Sequence, residues 1–101
     1  MKPVKDLVDL VVLTLTQAID GGRLEVAITR EAASRGLPLP ETFTVPPDWD
    51  ASYRRLASPI PDCKDHLTVA LATNLVNELL EPVLAGKAKG LRWDPGIRAW
   101  V

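Results

Sequence analysis

Within the first ten residues, the string KDLVDL sets Lys5, Asp6 and Asp9 close together, and these are the side chains best suited to chemistry. At about 100° per residue on a helix, Lys2, Lys5, Asp6 and Asp9 share one arc of roughly 100°, with Thr16 near its centre. A lysine ammonium can grip a phosphate as a point charge. Carboxylates beside it can bind a divalent metal or hold the lysine in place, and phosphoryl or nucleotidyl transfer uses this equipment. The same pattern also has a purely structural use. Acids complement the positive end of a helix, and Lys5 and Asp9 are spaced i,i+4 for a surface ion pair, each effect being worth about 0.3–1 kcal/mol. A working metal site needs a further acidic pair on a rigid neighbouring element. No D-x-D follows a strand, and the pair Gly21-Gly22 reads as the stop after a helix, not as a phosphate loop before one.

Three other groupings carry chemical potential. Cys63 and His66 lie three residues apart with Asp62 beside them, but a structural zinc needs four ligands and no second Cys or His pair exists. No third residue is identifiable to orient His66 as the base of a nucleophilic pair. The plain reading is a helix start with Asp62 as cap and His66 on the surface. Lys87, Lys89, Arg92 and Arg98 make the C-terminal stretch basic, and the interleaved Trp93 and Trp100 could stack on RNA bases or pack on the core; Arg54 and Arg55 would add to the basic face only if they share it. Trp49, Tyr53 and Leu56 form one stripe, which reads as packing and not as a ligand cage.

The elements that position these groups follow from periodicity. Pro3 suits a first helical position, and Val4, Leu7, Val8, Val11, Leu15, Ala18 and Ile19 recur at helical spacing up to Asp20-Gly21-Gly22. Leu24, Ala27, Ile28 and Ala32 mark a second helix closed at Gly36. Four prolines between Leu37 and Pro47 impose a loop; within it only TFTV, residues 42–45, alternates like a strand, and it is too short to support a sheet. A brief third helix spans Asp48–Ala57 with Asp48 as its cap. The fourth has Leu71, Leu75, Val76, Leu79, Leu80 and Val83 on one side, opposite Asn74, Asn77, Glu78 and Glu81, and ends by Gly86 with Pro82 as a kink point. The tail should lie ordered on the bundle through Trp93 and Trp100. The expected fold is therefore all-α: one domain over residues 1–101, a compact bundle of about four helices with Pro-rich loops and an ordered Trp-containing C-terminal tail.

Composition narrows the class without choosing a partner. A chain of 101 residues can bury roughly 65% of the surface that it exposes unfolded. An apolar fraction of 47%, a charged fraction of 25% and a net charge of -1 suit an ordinary globular protein and advertise no polyanion binder. The single cysteine excludes an intrachain disulfide, and Asp6 and Asp9 interrupt the N-terminal apolar run that a signal peptide would need. The expected setting is the cytoplasm, with no membrane span.

The ordered set KDLVDL (5–10), AITREAASRGLPLP (27–40), PPDWDASYRRLA (46–57), LLEPVLAG (79–86) and WDPGIRAW (93–100) resembles the C-terminal helical part of the AbiEii/AbiGii-type nucleotidyltransferase toxins. In that family a nucleotidyltransferase core with a Gly-Ser-type motif and a metal-binding D-x-D joins a helical half that carries R-x-K-D-x-x-D. Members transfer nucleotides from a nucleoside triphosphate, in some cases onto tRNA ends, as toxins in toxin-antitoxin and phage-defence systems. The resemblance implies that Lys5 contacts the triphosphate, Asp6 is the acid of the motif and Asp9 supports it. Pro3 stands where the motif has Arg, so either Lys2 takes the nucleotide-binding role of that position or nothing does. The resemblance also implies that the chain lacks the D-x-D metal site and is inactive alone, taking Mg and a nucleoside triphosphate only when a catalytic core completes it. The partners that the resemblance implies are that N-terminal half or an antitoxin; RNA is a candidate partner from the basic tail, and a second copy from the competing reading. The competing expectation is a stand-alone interaction module, antitoxin-like or oligomerising, with no catalytic activity.

Overall fold

The computed structural model describes residues 3–101. Its helices are α1 Pro3–Thr16, α2 Gly21–Ser34, α3 Asp50–Ala57 and α4 Val69–Leu84, and single 3-10 turns lie at Pro47–Trp49 and Pro61–Cys63. The architecture is the expected small helical bundle, with a three-stranded antiparallel sheet added at one side: β1 Ile19–Asp20, β2 Arg92–Asp94 and β3 Ala99–Trp100, in the order β1-β2-β3.

Helix α4 is the central element and touches α1, α2, α3 and β3. It buries Val69, Ala72, Leu75, Val76, Leu79, Leu80 and Val83; sealing one such large side chain contributes about 1.5–3 kcal/mol relative to leaving it in water. Against α4, α1 sets Leu7, Val8 and Val11, and α3 sets Tyr53 and Ala57. The one buried polar side chain of α1, Thr14, is satisfied because its hydroxyl donates to the Leu10 carbonyl at 2.7 Å. The Thr68 hydroxyl caps α4 by accepting from the Leu71 amide at 3.1 Å. Gly36 closes α2 as expected, at φ 66°, with its own amide on the Ala33 carbonyl and the Leu37 amide on the Ala32 carbonyl.

Several expected boundaries shift. Helix α1 ends at Thr16, and Gly21-Gly22 opens α2 instead of stopping α1. Asp20 is the true cap, its carboxylate accepting from the Arg23 amide at 2.9 Å. Helix α3 is preceded by Trp49, so Asp48 does not cap it. Its inward stripe is Trp49, Tyr53 and Ala57, while Leu56 is 40% exposed. Leu71 also faces water, at 48% exposure. Residues 42–45 form no strand; the Asn77 side chain instead exchanges two hydrogen bonds with the Phe43 backbone, at 2.8 and 2.9 Å, and so ties the Pro-rich loop to α4.

The sheet answers to long-range pairing that no local period reveals. Ile19 faces Trp93 and Asp20 faces Arg92, while Trp93 and Asp94 face Trp100 and Ala99. The tail is ordered, as expected, and takes the form of a hairpin, which was not expected; both indoles are engaged. Trp93 donates to the Thr14 carbonyl at 2.8 Å, Trp100 donates to the Leu79 carbonyl at 3.0 Å, and the two rings meet edge-on at 5.7 Å. Gly21 makes the junction possible, because its amide donates to the Leu91 carbonyl at 2.9 Å and its Cα lies directly against the Ala88 backbone.

A Cβ on Gly21 would collide with the Ala88 carbonyl, a backbone group that cannot swing aside. Gly21→Ala is expected to destabilise the protein by about 1–3 kcal/mol in urea titration, the usual range for overpacking. Gly22→Ala, whose Cβ meets only the Asp20 carboxylate at 3.4 Å, should be neutral or stabilising by up to about 1 kcal/mol. Equal losses from both variants would refute the close approach.

Candidate functional site

The face of α1 opposite Leu7, Val8 and Val11 carries Lys5, Asp6 and Asp9, all exposed. Lys5 Nζ lies 3.1 Å from Asp9 Oδ2, with the two side chains 68% and 60% exposed. A lysine placed N-terminal to its acid is the weaker of the two i,i+4 orders, and a pair so open to water contributes at most about 1 kcal/mol. The ammonium and carboxylate are therefore easily released to another ligand. The Thr16 hydroxyl turns back onto the Val12 carbonyl at 2.6 Å. Lys2 lies outside the described residues. Among the described residues, no three His, Cys, Asp or Glu side chains are grouped to hold a metal ion.

One acidic string went unweighed in the sequence. Asp48-Trp49-Asp50 is a D-x-D, though it follows two prolines and not a strand. Asp50 Oδ1 accepts from the Val69 amide at 2.7 Å and so joins the start of α3 to the start of α4. The local signal, an acid at a helix start, was visible. Its target, an amide 19 residues away, was not.

The Cys63–His66 stretch is structural in its geometry. Cys63 is fully buried, and burial first, then the Asp62 charge, pushes its thiol above the ordinary value of 9.0. A thiol so disfavoured as thiolate makes a poor nucleophile and a poor metal ligand. The buried Tyr53 hydroxyl donates to the His66 carbonyl at 2.6 Å, and its pKa is likewise raised, by burial and then by Cys63. His66 is half-buried, not on the surface, and its Nδ1 is buried without a partner among the described residues. Asp62 sits in the 3-10 turn and does not cap α4, which begins at Val69 behind Thr68.

The basic C-terminal stretch divides in two. Arg98, in the left-handed region at φ 53°, places its guanidinium on Glu78 through two hydrogen bonds of 2.9 and 2.7 Å. Lys87, Lys89 and Arg92 are exposed. Trp93 is buried and so offers no platform for stacking on bases, while Trp100 is half-buried, with its indole nitrogen on the Leu79 carbonyl of α4 and its ring edge-on to Trp93. Arg54 and Arg55 project from the last turn of α3.

Because the folded state favours neutral Cys63 and neutral Tyr53, both groups bind their protons more tightly than in the unfolded chain. The stability that they contribute is complete below pH 9.0, the ordinary thiol value, and is lost as the pH rises through the raised folded values. The urea midpoint should therefore fall above pH 9, Cys63→Ala should flatten part of that slope, and native Cys63 should react with a thiol reagent only at the rate of unfolding. Rapid labelling of the folded protein would contradict the burial. Among family models, curated proteins and solved structures, nothing matches the chain.

Proposed function

We propose that the chain supplies one wall of a nucleotide-binding cleft, and that a nucleotidyltransferase core of the AbiEii/AbiGii type supplies the other. One observation carries this reading: Lys5, Asp6 and Asp9 are all exposed on one face of a helix whose opposite face is locked into the core. Lys5 would contact a triphosphate while its exposed pair with Asp9 keeps the ammonium on this face, and Asp6 would act as the acid of the motif. The partner core would bring the metal-binding carboxylates and Mg, which neutralise charge on the transferring phosphate. The setting of this reading is the cytoplasm, in a toxin-antitoxin or phage-defence system.

Alone, the protein is expected to incorporate no nucleotide. Mixed with such a core, it should restore incorporation of labelled nucleoside triphosphate. Lys5→Ala or Asp6→Ala should then cut the rate about 100-fold or more, the loss expected when a group that stabilises or positions transition-state charge is removed, while changing stability in urea by no more than about 1 kcal/mol, because both side chains are exposed. Restoration indifferent to both changes would defeat the reading, and so would failure of a well-folded mixture to restore any incorporation.

A further inference from the structure

We propose that residues 38–45 form a strap that swings off the bundle as one unit while the helices stay folded, with Asn77 of α4 as its latch. Both ends of the strap are fixed, since the Leu37 amide is bonded to the Ala32 carbonyl and the Trp49 amide to the Pro46 carbonyl. Between these ends, among the described residues, Phe43 is the one residue whose backbone is hydrogen-bonded to the protein. Its amide donates to Asn77 Oδ1 at 2.8 Å and its carbonyl accepts from Asn77 Nδ2 at 2.9 Å. A second fastening runs from the Thr42 hydroxyl to Glu81, one turn further along α4.

Little else holds the strap down. The amides of Leu39, Glu41, Thr42, Thr44 and Val45 have no protein acceptor, so release takes no hydrogen bond from them. Apolar cover comes from Phe43 and Val45, both half-buried against the core, whereas Leu37 and Leu39 are 59% and 41% exposed. Segments with few buried contacts and an unpaired backbone open at the lowest free energies in a fold. Prolines make the motion collective. Pro38 and Pro40 fix their own φ and hold Leu37 and Leu39 in extended backbone, and Pro46 does the same to Val45. The strap therefore moves as a stiff piece about its ends, with Gly36, at φ 66°, beside one pivot. Closed, it forms one wall of a groove of about 550 Å³ whose other wall is Ala27, Ile28 and Ala32 of α2. Open, it uncovers Ile28 and Ala32, so the latch gates an apolar groove. Neither strap nor latch includes Lys5, Asp6 or Asp9, and the test stands apart from that of the nucleotide cleft.

Chymotrypsin supplies that test, because cleavage after Phe43 draws a half-buried side chain into the protease, while Leu37 and Leu39 precede proline and resist it. The rate at Phe43, normalised to a peptide substrate in the same urea, is expected to change little at low urea. Exchange of the Val76 amide, in the core of α4, should instead follow the steep urea dependence of global unfolding. Asn77→Ala should speed cleavage about tenfold or more beyond any change in the global unfolding constant. Asn77→Asp keeps an acceptor for the Phe43 amide and loses the donor to its carbonyl, so it should speed cleavage less. Three outcomes would each overturn the proposal: cleavage at Phe43 that rises with urea as steeply as global unfolding, variants no faster than their loss of global stability accounts for, or cleavage of the original protein as fast as that of a free peptide of residues 36–48.

Discussion

The bundle is closed by the burial of Trp93 between the end of α1 and the C-terminal hairpin. Its ring is almost wholly removed from water and its indole nitrogen reaches the Thr14 carbonyl, in the last turns of a helix, where carbonyls lack intrahelical donors. The same residue sits in the middle strand of the sheet, opposite Ile19 on one side and Trp100 on the other. One side chain therefore ties together the α1–α2 connection, the tail and the core. The Gly21–Ala88 approach is the steric condition for this arrangement, since any side chain at residue 21 would hold the tail away from the start of α2.

Helix α4 uses its two sides differently. Its apolar side makes the core, and its polar side organises the irregular segments: Asn77 holds the backbone of Phe43, Glu81 accepts from the Thr42 hydroxyl at 2.8 Å, and Glu78 anchors Arg98 at the hairpin. A polar helix face that reads as solvated is here the fastening surface for a proline-rich loop, which has no strand partner for its backbone groups, and for the hairpin of the tail. Charges on α4 are consequently engaged with distant segments, while Lys5 and Asp9 of α1 meet each other across one helical turn and, like Asp6, stay exposed. This contrast is what directs functional attention to Lys5, Asp6 and Asp9.

The candidate groups were legible to different degrees. The arc of Lys5, Asp6 and Asp9 follows from helical spacing alone, and so does its exposure, because the complementary arc is apolar. Cys63 and Arg98 were not legible. A thiol three residues from an imidazole reads alike in a site and in a core, and only packing shows that Cys63 is sealed. Arg98 counts as a free cation until Glu78, 20 residues earlier, is seen to meet it.

The amino-acid sequence by itself determined the four helices and most of their inward faces, because a period of 3.6 residues, a proline at α1's first position and a glycine after α2 act within a few residues of one another. It also determined that α1 would present an ionic arc. Tertiary structure alone decided that Gly21 starts a helix, that Ile19–Asp20 becomes a strand, that Asp50 bonds to Val69, and which cations stay unpaired. Each of these depends on a partner distant in the chain, and a two-residue strand or a lone carboxylate has no local period to announce it.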